Sequence, residues 1–161
     1  MPSDTDAVVV TDLVKRFGRF TAVDGISFSV RTGEIFGFLG PNGAGKSTTI
    51  RMLCGIIAPT GGAGRVAGFD LATEPERIKQ SIGYMSQKFS LYPDLTPFEN
   101  VRFYLGIYAV PAAEWAERVD WVFETTRLQA VRDRPTRELP PGWRQRLALG
   151  CALLHRPRLL F

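Results

Sequence analysis

Nine consecutive residues, Gly40-Pro41-Asn42-Gly43-Ala44-Gly45-Lys46-Ser47-Thr48, have types and spacing suited to holding a triphosphate. They fit the pattern G-x-x-x-x-G-K-[ST], in which glycines let successive backbone N–H groups turn inward on phosphate oxygens. Lys46 adds a mobile ammonium for the terminal phosphates, and Ser47 a hydroxyl for Mg²⁺. Asn42 and Thr48 belong to the same binding run. A helix starting here aims the positive end of its dipole at the same anion. The chemistry expected is binding of ATP with Mg²⁺.

Such a loop needs a strand before it and a helix after it. Ile35-Phe36-Gly37-Phe38-Leu39 is a short apolar run suited to a buried strand, and Ser47 to Leu53 continues without a helix breaker. Upstream, 7–16 and 20–30 read as two strands, the second alternating at Ile26, Phe28 and Val30. Downstream, Pro59-Thr60-Gly61-Gly62 is a turn cluster, 64–69 a short strand, and 82–86 another that ends at Gln87.

From there the pattern becomes helical. Thr96-Pro97-Phe98-Glu99 has the spacing of a capping box with proline at the first helical position, which predicts a helix from Pro97 to about Tyr108. After Pro111, Trp115, Val119, Val122 and Phe123 share one face of a second helix and read as core. The stretch 131–141 contains three prolines and reads as a loop. A further helix is predicted over 143–154, stopped by Pro157, with His155 completing its end. Leu159-Leu160-Phe161 reads as the start of one more strand. The order implies an α/β fold: a nucleotide-binding core with an antiparallel β subdomain and a helical subdomain.

Bulk composition suits this reading. The 161 residues are 45% hydrophobic and 22% charged, ordinary for a globular domain with a real core. The start, Met1 to Asp6, is acidic where a signal peptide would be basic, and no apolar stretch is long enough to span a bilayer. A cytoplasmic chain is expected. The net charge of +4 is spread among mixed runs such as Arg132-Asp133-Arg134, which read as a solvated face, so no nucleic-acid partner is expected. Cys54 and Cys151 lie in separate helical patterns without metal-ligand spacing and read as buried free thiols.

From Val8 to Phe161 the chain resembles the ATP-binding subunit of an ABC transporter, in particular those paired with drug or multidrug exporters of the ABC-2 type. The resemblance implies that Phe17 stacks on adenine, for which a ring suffices. It implies that Gln87 is the glutamine of a hinge loop, its amide oxygen offered to Mg²⁺ or to an attacking water. Phe89, Leu91, Tyr92 and Leu95 would then face a membrane permease subunit, or else close the local core. Leu139-Pro140-Pro141-Gly142-Trp143 stands where the family reads Leu-Ser-Gly-Gly-Gln, so the serine hydroxyl and two N–H groups are missing. Gly142 and its helix N-terminus remain to cap ATP held by a second nucleotide-binding domain, in a homodimer peripheral to the inner face of the membrane.

The same resemblance implies one nucleotide-binding domain over 1–161, with 7–87 as β-rich and P-loop core, about 88–150 as helical subdomain, and 158–161 as the start of the Walker B strand. The Walker B acids are not in the sequence, which reads as C-terminally incomplete, a fragment prone to aggregate. Two functions follow as expectations: an ATPase subunit that drives export, or an ATP- or partner-binding module that does not hydrolyse. An ABC protein acting on nucleic acid is a weaker third reading.

Overall fold

The computed structural model describes residues 6–86 and 90–161. Gln87 and Phe89, both singled out above, lie outside the described residues. The chain divides into two compact units, one through Ile82 together with Phe161, the other Gly83–Leu160.

In the first unit β1 (Asp6–Phe17) and β2 (Phe20–Arg31) form a long antiparallel hairpin. β3 (Gly61–Val66) pairs with the other edge of β1, and β4 (Phe69–Asp70) with β3, giving the order β2-β1-β3-β4. Alternation dictates the faces: Val8 and Val10 of β1, Val23 and Val30 of β2 and Val66 of β3 are buried. The single strand expected over 64–69 is two strands, because Ala67 and Gly68 both take positive φ and turn the chain between them.

α1 (Lys46–Leu53) follows the glycine-rich loop and buries Thr49, Met52 and Leu53. α2 (Pro75–Ser81) has no counterpart in the sequence reading. Its signals are present, with Pro75 in its first turn and ion pairs Glu74–Arg77 and Glu76–Lys79 three residues apart.

One expectation is overturned. Ile35–Leu39 is not a strand: it is irregular, Ile35 is 100% and Leu39 93% exposed, and no strand pairs with it among the described residues. An apolar run reports a tendency to be buried, but a ladder also needs hydrogen-bonding neighbours, and β1 spends both its edges on β2 and β3. Aromatic contact holds the segment instead. Phe36 stacks on Phe28 of β2 at 5.4 Å, and Phe38 tilts against it at 5.6 Å.

In the second unit α3 (Pro97–Ile107), α4 (Trp115–Thr126) and α5 (Pro141–Leu153) pack around one apolar cluster. Val119, Val122 and Phe123 are buried in it and Trp115 packs at its margin, as their spacing on one face requires. The capping box of α3 is formed in both directions: the Glu99 N–H donates to Thr96 Oγ1 at 3.2 Å, and the Thr96 N–H to Glu99 Oε2 at 2.8 Å. α5 starts two residues earlier than expected, at Pro141, since proline fits the first turn. His155 stacks its ring on Tyr108 at 3.7 Å and 9°. The strand expected over 82–86 is shorter, β5 (Ile82–Gly83), which pairs with β6 (Leu159–Leu160). This antiparallel sheet with helices makes the class α/β.

Candidate functional site

The phosphate loop takes its shape from backbone conformations that side chains oppose. Gly43 and Gly45 lie at φ 86° and 81°, the left-handed region. Gly45 is confined further, since a Cβ there would lie 2.3 Å from the Ala22 carbonyl oxygen of β2. The residue at the mouth of the helix therefore has to be glycine, for both torsion and space.

Lys46, the first residue of α1, curls back across the loop. Its Nζ donates to the carbonyl oxygens of Gly40 at 2.5 Å and Pro41 at 2.6 Å, which places the ammonium inside the arc of the loop. The N-terminus of α1 carries no side-chain cap and no acidic residue in its first turn. Its unbonded N–H groups and positive dipole end are thus left for an anion. Ser47 is exposed and Thr48 half-buried in the same turn, while Gly40, Asn42 and Gly43 are exposed along the loop. Thr49, which the motif does not single out, is buried and anchors the turn: its N–H and Oγ1 both donate to the Gly45 carbonyl, at 2.8 and 3.1 Å. A backbone arc, a free helix N-terminus and an ammonium are features that fit a nucleotide phosphate.

Phe17 ends β1 and pairs across the hairpin with Phe20. Its ring is 51% exposed, with Lys15 Nζ 5.1 Å from its centroid, so one face is left for stacking. The hairpin links it to the loop: Phe20 begins the strand whose Ala22 carbonyl lies under Gly45.

In the second unit Gly142 is exposed in the first turn of α5, and a Cβ there would meet nothing within 4 Å. Pro140 and Pro141 have no N–H, and the N–H groups of Trp143 and Arg144 both point back to the Pro140 carbonyl, at 3.0 and 3.1 Å. That leaves Gly142 as the amide the first turn presents outward. Of the residues expected to face a permease, Leu91 packs against the apolar cluster, Tyr92 is exposed with its ring 4.5 Å from that of Phe103, and Leu95 is half-buried.

Asn100 is a residue that sequence reasoning missed. Fully buried in α3, it accepts from the Tyr92 N–H at 2.9 Å and donates through Nδ2 to the Tyr92 and Thr96 carbonyls and to Thr136 Oγ1, at 3.0–3.1 Å. It fixes the segment before α3 and ties it to the loop before α5. A lone asparagine beside a capping box carries no spacing signal that separates it from a solvated residue.

Residues 23–161 match the protein family described as ABC transporter. The chain is 46% identical over 160 residues to the probable multidrug ABC transporter ATP-binding protein YbhF of Escherichia coli (strain K12), covering 99% of this chain and 28% of that protein. It is 40% identical over 156 residues to Nod factor export ATP-binding protein I of Ralstonia nicotianae (strain ATCC BAA-1114 / GMI1000), covering 97% and 49%. A solved ATP binding subunit of an ABC transporter superposes with a TM-score of 0.84 at 30% identity, over 96% of this chain and 64% of that one. The chain thus spans under half the length of these two curated relatives. With a glycine-rich loop running into α1 and the family match running from β2 to Phe161, the chain belongs to the ABC transporter family.

Proposed function

We propose that this chain is the ATP-binding part of a transport ATPase that couples ATP binding and hydrolysis to export through a membrane permease subunit. The observation that carries this reading is the Lys46 ammonium held over the arc of Gly40 and Pro41 at the uncapped N-terminus of α1. An incoming triphosphate exchanges two neutral carbonyl acceptors for charged oxygens, which is the stronger pairing for an ammonium. Gly40, Asn42, Gly43, Gly45, Lys46, Ser47 and Thr48 hold the phosphates, and Phe17 the adenine. Bound Mg²⁺ would supply positive charge between the phosphate oxygens, and Ser47 and Gln87 are the groups offered to it. Gln87 also positions the attacking water.

The organisation read from the sequence, with 7–87 as core and about 88–150 as helical subdomain, belongs to the same proposal. So does the pairing of two copies, each ATP lying between Lys46 of one and Gly142 of the other. The names of the two relatives, a multidrug protein and an export protein, support export as the direction. A place on the cytoplasmic face of a membrane, through the permease, follows from that assembly. Among the described residues no helix is long and apolar enough to cross a membrane.

The test is ATP-dependent pairing of the full-length protein, measured by light scattering with a non-hydrolysable ATP analogue. Gly142 stands in open space, so Gly142→Asp leaves the fold intact and sets a carboxylate against the phosphates. The variant is expected to stay monomeric while binding the nucleotide as well as the parent protein. Loss of both properties, or of neither, contradicts the arrangement.

A further inference from the structure

The second unit carries a pocket that the ATP chemistry does not use. It has a volume of about 230 Å³ and lies between the start of α3 and the outer face of α4, lined by Phe98, Arg102, Trp115, Val119, Asp120 and Arg132. Its floor is apolar. Val119 is buried, and the Trp115 indole spends its N–H on the Val110 carbonyl at 2.8 Å, so that its ring is what remains for contact.

Both arginines lie over rings. The Arg102 guanidinium is 5.7 Å from the centroids of Phe98 and Trp115, and that of Arg132 is 4.2 Å from Phe98 and 5.2 Å from Phe123. A stacked guanidinium uses its face on the ring and keeps its N–H edge for a planar acceptor. Among the described residues neither side chain makes a hydrogen bond or an ion pair. The wall is also fixed in place: the Phe98 N–H donates to the Arg132 carbonyl at 3.2 Å, and the Thr136 N–H to that of Leu95 at 2.9 Å. Two cations without an ion-pair partner among the described residues thus line a hole with an apolar floor that exists before anything binds, which lowers the cost of binding.

We propose that this pocket docks an acidic, apolar segment of a protein partner, one large apolar side chain entering between Phe98 and Trp115 while a nearby carboxylate pairs with Arg102 and Arg132. Asp120, which also lines the pocket, disfavours a carboxylate beside itself. A basic segment would meet two like charges there. A purely polar one would leave the floor without apolar contact.

The test is fluorescence anisotropy on the full-length protein with no nucleotide added, so that failure here leaves the ATP reading untouched. The probes are a fluorescein-labelled peptide Ser-Glu-Phe-Leu-Glu-Ser, its counterpart with lysine for both glutamates, and one with serine for Phe-Leu. The acidic, apolar peptide is expected to bind at least about tenfold more tightly than either control, since each good charged pair or buried ring is worth about that factor. Two variants locate the binding: Arg102→Gln with Arg132→Gln removes the charges, and Ala116→Trp fills the pocket while leaving them. Each is expected to weaken the acidic peptide by about tenfold or more. A smaller difference among the three peptides overturns the proposal, and so does unchanged binding in a folded variant of either kind. The comparison of peptides on the parent protein stands whether or not the variants fold.

Discussion

A Cβ built on Gly45 comes within 2.3 Å of the Ala22 carbonyl oxygen, so backbone meets backbone where the phosphate loop crosses β2. This contact makes the proposed nucleotide site part of the hairpin's own packing. Gly45→Ala would have to hold alanine at φ 81° and push β2 away. It is expected to cost about 3 kcal/mol of stability and to abolish ATP binding together with it. Urea unfolding and a nucleotide titration on the same variant check this, and an unchanged midpoint contradicts it.

Asn100 supports the second unit in a different way. Asn100→Leu keeps the bulk but strips the Tyr92 N–H of its acceptor, while the Tyr92 and Thr96 carbonyls keep the backbone N–H groups of Leu95 and residue 100. A buried N–H left unpaired costs about 1–3 kcal/mol, so a loss of about 2 kcal/mol is expected. Asn100→Asp is expected to be as damaging, because its oxygens face the carbonyls of Tyr92 and Thr96. A urea midpoint within error of the parent for either variant would contradict the role.

The two cysteines report on the units separately. Cys54 and Cys151 are both buried, and burial pushes each thiol up to about 12. At pH 8 neither is expected to react with a disulfide reagent over minutes in the folded protein, while both react in urea. Rapid stoichiometric labelling of either one in the native state contradicts the packing of its unit.

The capping box of α3 gives a pH dependence. The Thr96 N–H, and then its hydroxyl, hold the Glu99 carboxyl below the usual carboxylate range. A group lowered in the folded state stabilises it above the ordinary pKa, and that contribution fades as pH falls through the lowered value. Glu99→Gln keeps the reciprocal hydrogen bond without the charge. The difference in urea midpoint between parent and Glu99→Gln is therefore expected to be largest near neutral pH and to vanish in acid. A difference independent of pH would exclude the carboxylate as its source.

How legible these features were depends on the range of the interactions that make them. The turn of the glycine-rich loop into a helix was readable because it is made within nine residues of chain, and the box Thr96–Glu99 because its partners are three apart. Val119, Val122 and Phe123 followed from helical period alone. Ile35–Leu39 was misread because apolar character tells what a segment prefers, not which strand is beside it. The shared stacking of Arg102 and Arg132 on Phe98 joins positions 34 residues apart, and the Asn100–Thr136 bond joins positions 36 apart. No local pattern encodes such pairs.

The most direct test is calorimetric titration of Mg-ATP into the full-length protein and its Lys46→Ala variant. Lys46 is half-buried, and its ammonium reaches the loop carbonyls of Gly40 and Pro41. Saturable binding by the parent is expected, and binding weakened by at least about a hundredfold in the variant, at an unchanged melting temperature. Equal affinity in the two proteins would contradict the assignment of this loop as the ATP site.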